Sequence, residues 1–334
     1  MSRLAPPCIV PRARDRAPTI YRPAAVRHAD PYQLFLGTYE RFAPGCREVD
    51  EPGVVVVAVD EVTGTLVGVC GLRACFGRPV TAILGRHGRC DLVLWGDDIA
   101  LRHIAIVIDP VVSWAEGARA CYRAIDLRTS GGVIDEIGRP LQSFRADGPA
   151  VLRCGGQVLF VLPIGDPSDW PPSAKHAWEM LPQRIYLDEC GGTARSHART
   201  SLIFRQPAVR SAEELIAGDL AGTLEIEQPG HSSIIAFGTR ALLDGVLLGR
   251  YDRCELLGDL DDSVSRVHAM LVRVGDRLVL VDLASSHGLG PIGGGRARVA
   301  ELVDGAAVWL GRQTRLRWRD TCRLPERTPG PEAP

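Results

Sequence analysis

The chain has 334 residues, 46% of them apolar, enough to bury two cores when domains commonly hold about 100 to 200 residues. Its net charge of −1 gives no overall electrostatic reason to bind nucleic acid or an acidic surface. No apolar run approaches the roughly 18 residues needed to cross a membrane, so membrane insertion is not expected.

The 39 basic residues include a single lysine, Lys175, so arginine abundance belongs to the whole chain and marks no phosphate site by itself. Ten cysteines (Cys8, Cys46, Cys70, Cys75, Cys90, Cys121, Cys154, Cys190, Cys254 and Cys322) are scattered, without a C-x-x-C pair to hold a tetrahedral metal from one loop. They read as small buried thiols in a reducing compartment, and no metal or cofactor is expected. Prolines interrupt Met1-Ser2-Arg3-Leu4-Ala5-Pro6-Pro7 before an apolar signal segment develops, which points to a soluble, cytoplasmic protein.

Residues 1–50 read as an N-terminal extension. Its first part, to about residue 28, carries Pro6, Pro7, Pro11, Pro18 and Pro23 among arginines, a composition that disfavours a packed core and predicts a flexible arm. Asp30-Pro31 can then cap and start a helix with Tyr32, Leu34, Phe35, Tyr39 and Phe42 on one apolar stripe. Packing on the following domain is the simpler role for it, partner binding the alternative.

From Val54 the pattern becomes β. Val54–Val59 and Thr65–Val69 flank the polar turn Asp60-Glu61-Val62-Thr63-Gly64 as a hairpin, and short apolar runs follow at Val80–Leu84, Asp91–Leu94, Ile99–Ile108 and Val158–Leu162. Many short strands with glycine-rich turns predict a sandwich or barrel over residues 54–164. Residues 165–221 read as a proline-punctuated linker with short helices, one of them begun by the capping box Ser211-Ala212-Glu213-Glu214. Within it, Thr193–Thr200 combines hydroxyls with Arg195, His197 and Arg199, which allows a kinase acceptor; a solvated linker is the simpler reading. Strands resume at Gly222–Glu227 and run to about residue 320, and the proline-rich tail 321–334 reads as disordered.

That last stretch contains Gly249-Arg250, then Ser265-Arg266-Val267-His268, then Asp282-Leu283-Ala284-Ser285-Ser286-His287-Gly288, then Leu302-Val303-Asp304-Gly305 and Leu310-Gly311. Guanidinium groups and hydroxyls on short loops between apolar strands make an oxyanion receptor, since arginine offers a planar fork of donors and a hydroxyl adds another. The order and spacing resembles the forkhead-associated (FHA) domain, a β-sandwich of about eleven strands whose loops at one end bind phosphothreonine peptides. The resemblance implies that Arg250, Ser265, Arg266 and Ser286 hold the phosphopeptide. It makes Gly249, Gly288 and His268 structural, the histidine ring fixing the loop that carries Ser265. The family's Asn is His287 here and its following Thr is Leu289; histidine cannot supply the paired donor and acceptor of an amide, so binding is expected to be weakened, shifted in preference or made pH-sensitive. Asp259, Asp261 and Asp262 read as a solvated acidic loop, able to pair with Arg266 or to select basic residues in a partner. Gly288–Gly293 meets the literal G-x-G-x-x-G pattern, but no helix-forming run follows, so a hairpin loop is expected.

The same residues recur earlier. Ile83–Leu92, with Gly85-Arg86, matches Leu247–Leu256; Ile99–Ile104 matches Val264–Ala269; Asp126–Gly132 matches Asp282–Gly288; and Ala150–Gly155 matches Ala307–Gly311. This first copy keeps Arg86 and His103 but has Ala100 for Ser265, Leu101 for Arg266 and Gly131 at the Asn position. Loss of hydrogen bonds to a charged group, each worth roughly 1.5–3 kcal/mol, predicts that it does not bind phosphopeptide. The expectation is therefore an all-β adaptor of two FHA-like sandwiches that recognises a phosphothreonine-containing protein, a Ser/Thr kinase or its substrate. Its rivals are a phosphate-independent structural module, which predicts no effect of Arg250→Ala, and an enzyme, for which no nucleophile–base–orienter set is visible.

Overall fold

The computed structural model describes residues 28–111, 119–182, 210–255, 261–291 and 295–321. The N-terminal arm, Thr193–Thr200, Asp259, Gly293 and the tail lie outside the described residues. The chain divides into two compact units, with the boundary near residues 208–209.

In the first unit Asp30 caps helix α1 (Pro31–Arg47): its carboxylate accepts the Tyr32 N–H at 3.0 Å, and Pro31 fills the first helical position, where an N–H has no partner anyway. Eleven strands follow: β1 (Gly53–Asp60), β2 (Leu66–Arg73), β3 (Val80–Gly85), β4 (Leu92–Val93), β5 (Ile104–Ile108), β6 (Tyr122–Asp126), β7 (Val133–Asp135), β8 (Pro140–Leu141), β9 (Ser143–Ala146), β10 (Ala150–Cys154) and β11 (Gln157–Ile164). They form a six-stranded sheet, β2-β1-β11-β10-β7-β8, and a five-stranded sheet, β4-β3-β5-β6-β9. Val54, Val56 and Ala58 join Leu84, Ile104, Ile106, Tyr122 and Leu159 in one core.

The alternate residues of β1, Val55, Val57 and Val59, are also buried, because α1 lies on them with Leu34, Phe35, Tyr39, Phe42 and Cys46 at helical spacing. This is why Val54–Val59 is apolar without alternation: both faces of the strand are covered. The fold is thus mostly rather than entirely β, with helices supplying a further layer. Part of the segment read as linker belongs to that layer. Trp170 and Ala177, the latter on α2 (Ala174–Met180), share the α1 core; Tyr39 donates to the Pro171 carbonyl at 2.7 Å and Arg47 Nε to that of Trp170 at 2.6 Å.

The second unit opens with α3 (Ala212–Leu215), whose capping box is formed: Glu214 N–H donates to the Ser211 hydroxyl at 3.2 Å, and Ser211 N–H to the Glu214 carboxylate at 2.7 Å. Then come β12 (Leu220–Gln228), β13 (His231–Gly238), α4 (Thr239–Leu243), β14 (Val246–Leu248), β15 (Ala269–Val274), β16 (Arg277–Asp282), β17 (Leu289–Pro291), β18 (Val299–Glu301), β19 (Ala307–Leu310) and β20 (Thr314–Asp320). The sheets are β13-β12-β20-β19-β17 and β14-β15-β16-β18, nine strands among the described residues where the resemblance implied about eleven. In both units the first strand pairs with the last, and the third strand begins the opposing sheet. Leu224, Phe237, Leu248, Leu271, Leu280, Leu316 and Trp318 fill the space between the sheets. The G-x-G-x-x-G match begins at the residue before strand β17, and its described residues, 288–291, open no helix. Unlike its counterpart, the outer face of this unit's first strand is polar: Glu225 and Glu227 meet Arg315, Arg317 and Arg319 across β12 and β20 at 3.1–3.7 Å.

Candidate functional site

Three loops meet where β14 ends. Gly249 follows β14, and any Cβ there would run into the Arg266 carbonyl, so only glycine lets the loop 261–268 lie against this strand end. The contact is sealed by backbone bonds from Arg250 N to Ser265 O at 3.3 Å, Tyr251 N to Arg266 O at 2.8 Å and His268 N to Leu248 O at 2.8 Å. The third loop leaves β16 through Ala284, held at φ 53°, and Gly288 at φ 72°. It is closed by Gly288 N donating to the Ser285 hydroxyl at 2.8 Å and Ser285 N to the Asp282 carboxylate at 3.3 Å.

His268 is fully buried and joins the loops. Its Nδ1 accepts the Ser265 N–H at 2.9 Å, so the ring proton sits on Nε2, which donates to the Gly288 carbonyl at 3.0 Å. With both nitrogens bonded to backbone, the ring has no atom left for catalysis or a metal.

Ser265 Oγ accepts the Ser286 N–H at 3.0 Å, which leaves its hydroxyl proton to be donated outward. Ser286 and Arg266 are exposed, and the Arg250 side chain is 37% exposed. Arg250 Nε donates to the Val264 carbonyl at 2.6 Å, and its Nη1 pairs with Asp262 Oδ1 at 3.3 Å. Asp262 is solvated, as the sequence suggests, but its partner is Arg250 rather than Arg266. Asp262 lies on Arg250, because the Nε–carbonyl bond turns the guanidinium toward it. Asp261 faces inward: it accepts from Ser263 N and Oγ, from Gln313 N at 3.0 Å and from Thr314 Oγ1 at 2.9 Å. Burial pushes the Asp261 carboxyl up, but the Ser263 and Thr314 hydroxyls and the two N–H groups outweigh it and hold it below the ordinary aspartate value.

His287 lies beside this loop, its Nδ1 donating to the Ser263 carbonyl at 2.9 Å. Its Nε2 is then a lone-pair acceptor unless the ring is protonated. Sequence spacing did not single out Arg296 and Arg312. A Cβ on Gly288 would sit 3.4 Å from the Arg296 stem, and Arg312 N donates to Ser263 Oγ at 2.6 Å. Only the folding together of β17–β18 and the turn after β19 brings them here.

In the first unit the loops around Gly85, Ala100 and Thr129 make comparable bonds about a buried His103, whose Nε2 also meets Thr129 Oγ1 at 3.0 Å. His103 Nδ1 accepts from Ala100 N at 3.1 Å and its Nε2 meets the Gly132 carbonyl at 3.0 Å; Arg86 pairs with Asp97 at 3.9 Å. A Cβ on Gly85 would be 2.7 Å from the Leu101 carbonyl and one on Gly131 2.7 Å from that of Asp98. Ala100 and Gly131 bring no side-chain donor.

Residues 246–311 match the family model described as the FHA domain. No curated protein matches the chain. Among solved structures it is similar to EmbR of Mycobacterium tuberculosis in complex with a low-affinity phosphopeptide, at 19% identity over 29% of this chain and 24% of that one, with a TM-score of 0.25. It thus spans about a quarter of the EmbR chain. It is also similar to the yeast Dun1 FHA domain bound to a doubly phosphorylated peptide derived from Rad53 (17% identity, 35% of this chain, 92% of that one, TM-score 0.25). The FHA domain of the CT664 protein of Chlamydia trachomatis is similar at 17% identity, 33% of this chain, 96% of that one and a TM-score of 0.26.

Proposed function

We propose that the second unit binds a phosphothreonine peptide, with Arg250, Ser265 and Ser286 taking the phosphate and Arg266 and His287 bordering the peptide. One observation carries this reading: the Ser286 N–H occupies the acceptor side of Ser265 Oγ, turning its donor side outward, while Ser265 is itself backbone-bonded to Arg250. The hydroxyl is thereby pre-set for a phosphate, while Arg250 has to exchange its exposed Asp262 contact to join it; bonds to charged groups are each worth roughly 1.5–3 kcal/mol. The FHA match over 246–311 supports the same ligand class.

The first unit, residues 54–164, is read as a degenerate second copy of the domain that serves as scaffold. In support, its loops repeat the histidine and glycine contacts while lacking the hydroxyl. The protein is then a non-enzymatic cytoplasmic signalling adaptor for a Ser/Thr kinase or its substrate. A phosphate-independent interaction module is the second reading, favoured by the fact that Asp262 and Ser263 already engage Arg250 and His287.

Titration of the full chain with a degenerate phosphothreonine library, its unphosphorylated counterpart and an Arg250→Ala control separates the two. Phosphate-dependent binding near micromolar, about −8 kcal/mol, that is lost in Arg250→Ala establishes the first reading. Equal binding in all arms establishes the second.

A further inference from the structure

Most arginines of the second unit are engaged. Arg210, Arg250, Arg277, Arg315, Arg317 and Arg319 pair with carboxylates, and Arg253, Arg273 and Arg298 also have partners. Arg266, Arg296 and Arg312 are exposed and make no side-chain hydrogen bond or ion pair among the described residues. Of the unit's other described arginines, Arg240 alone shares this state, and it lies on α4, before β14, whereas Arg250 follows that strand.

The unpaired cations border the candidate site. Arg266 follows Ser265, and its carbonyl receives the N–H of Tyr251. Arg296 lays its stem on Gly288, the neighbour of His287. Arg312 is bonded through its N–H to the same Ser263 whose carbonyl holds His287. Asp262 adds a carboxylate here, but it lies on Arg250. The unpaired cations are thus on the His287 side of the loops, where Arg296 and Arg312 make no ion pair among the described residues and the nearby Asp261 carboxylate is taken up by Ser263, Gln313 and Thr314.

Resting on the phosphopeptide reading, we propose that Arg296 and Arg312 form a second anion subsite, which takes a further negative group of the same peptide near the phosphothreonine. The ligand class is then an acidic phosphopeptide, its second anion an Asp or Glu carboxylate or another phosphate. This runs against the expectation that the acidic loop selects basic residues: of its described carboxylates, Asp261 is bonded to Ser263 and Thr314, and exposed Asp262 pairs with Arg250. Guanidinium forks suit either oxyanion.

The test is binding of the full chain to four phosphothreonine peptides: neutral-flanked, Asp/Glu-flanked, doubly phosphorylated and Arg-flanked. Each is titrated against wild type, Arg296→Gln/Arg312→Gln, Arg296→Lys/Arg312→Lys and the distant control Arg240→Gln. Wild type is expected to favour the acidic or doubly phosphorylated peptide by about two- to tenfold over the neutral one, the range of two exposed ion pairs. The Gln pair should lose that preference while holding the neutral-flanked peptide within about twofold of wild type. The Lys pair and Arg240→Gln should keep it. Which of the two anionic peptides gains more identifies the second group. Phosphate-dependent binding with equal flanks, a preference for the Arg-flanked peptide, or a preference that survives in the Gln pair overturns the subsite alone. Binding that ignores phosphate and Arg250→Ala overturns the phosphopeptide reading and the subsite with it.

Discussion

The backbone N–H of Ser286 donates to the hydroxyl oxygen of Ser265 at 3.0 Å, so two loops that are distant in sequence share one hydroxyl group. Ser265→Ala removes the outward donor and the acceptor together. The expected outcome is a loss of phosphopeptide affinity of about ten- to a hundredfold, equivalent to 1.5–3 kcal/mol. The thermal midpoint should move little, because exposed Ser286 can bond water instead. Calorimetric titration beside a melting curve checks both halves.

Asp262 competes with any anion for Arg250. Asp262 is fully exposed and Arg250 partly so, which makes the pair weak and salt-screened. Asp262→Asn is expected to tighten phosphopeptide binding by about two- to fivefold and to steepen its salt dependence, because the site then meets the anion with an uncompensated positive charge. Weaker binding in this variant, measured by titration at two ionic strengths, would give Asp262 a direct role toward the peptide.

Removing His268 strands a buried N–H at Ser265 and a carbonyl at Gly288. Each buried unsatisfied group costs about 1–3 kcal/mol, so His268→Ala should destabilise the second unit by roughly 2–4 kcal/mol. Hydrogen exchange of peptides spanning 265–288 is the readout, since a two-unit chain need not unfold in one step. His103→Ala should cost the first unit similarly, with lost protection over 100–132.

The Asp261 carboxyl lies below its ordinary value in the folded chain, so its ionised form is the one that stabilises. That contribution is complete above the unfolded aspartate value of about 3.9 and is lost as pH falls through the lower folded value. Asp261→Asn should therefore be less stable than wild type at neutral pH, with the gap closing below about pH 4. Denaturant midpoints across pH 3–7 measure it; a gap that persists unchanged at the acid end would falsify the assignment.

Burial pushes the thiols of Cys46 and Cys154 up to about 12 and those of Cys90 and Cys121 up to about 11. The thiolate is the reactive form, so alkylation of the native protein at pH 8 should spare these four residues and label them only after denaturation. Peptide mass mapping decides.

Much of the candidate site's loop structure was legible because its residues lie on short local stretches. Gly249-Arg250, Ser265–His268 and Ser285–Gly288 each fold within a few residues, and the repeat at Gly85-Arg86, His103 and Gly132 echoes their spacing. The Asp30-Pro31 helix start and the Ser211 capping box were equally local. What escaped was whatever depends on which loops meet. Asp262 finds Arg250 rather than Arg266 only once Val264 O has oriented the guanidinium, and Arg312 arrives from a turn that pairing of β19 with β20 delivers. Likewise, Trp170 and Ala177 lie in a proline-punctuated stretch that reads as linker, and only the α1-covered sheet shows why they are buried.

That covered sheet sets an order of events during synthesis. Helix α1 leaves the ribosome first, yet its landing surface includes Val158, Phe160 and Leu162 of β11, which pairs directly with β1. Until residue 164 has emerged, the aromatic stripe of α1 and the outer valines of β1 have no completed surface to share, and a nascent chain halted earlier exposes both. Closure of this sheet across such a long sequence separation makes the first unit slow to form by nature, and a ribosome pause before β11 is where chaperone dependence would show.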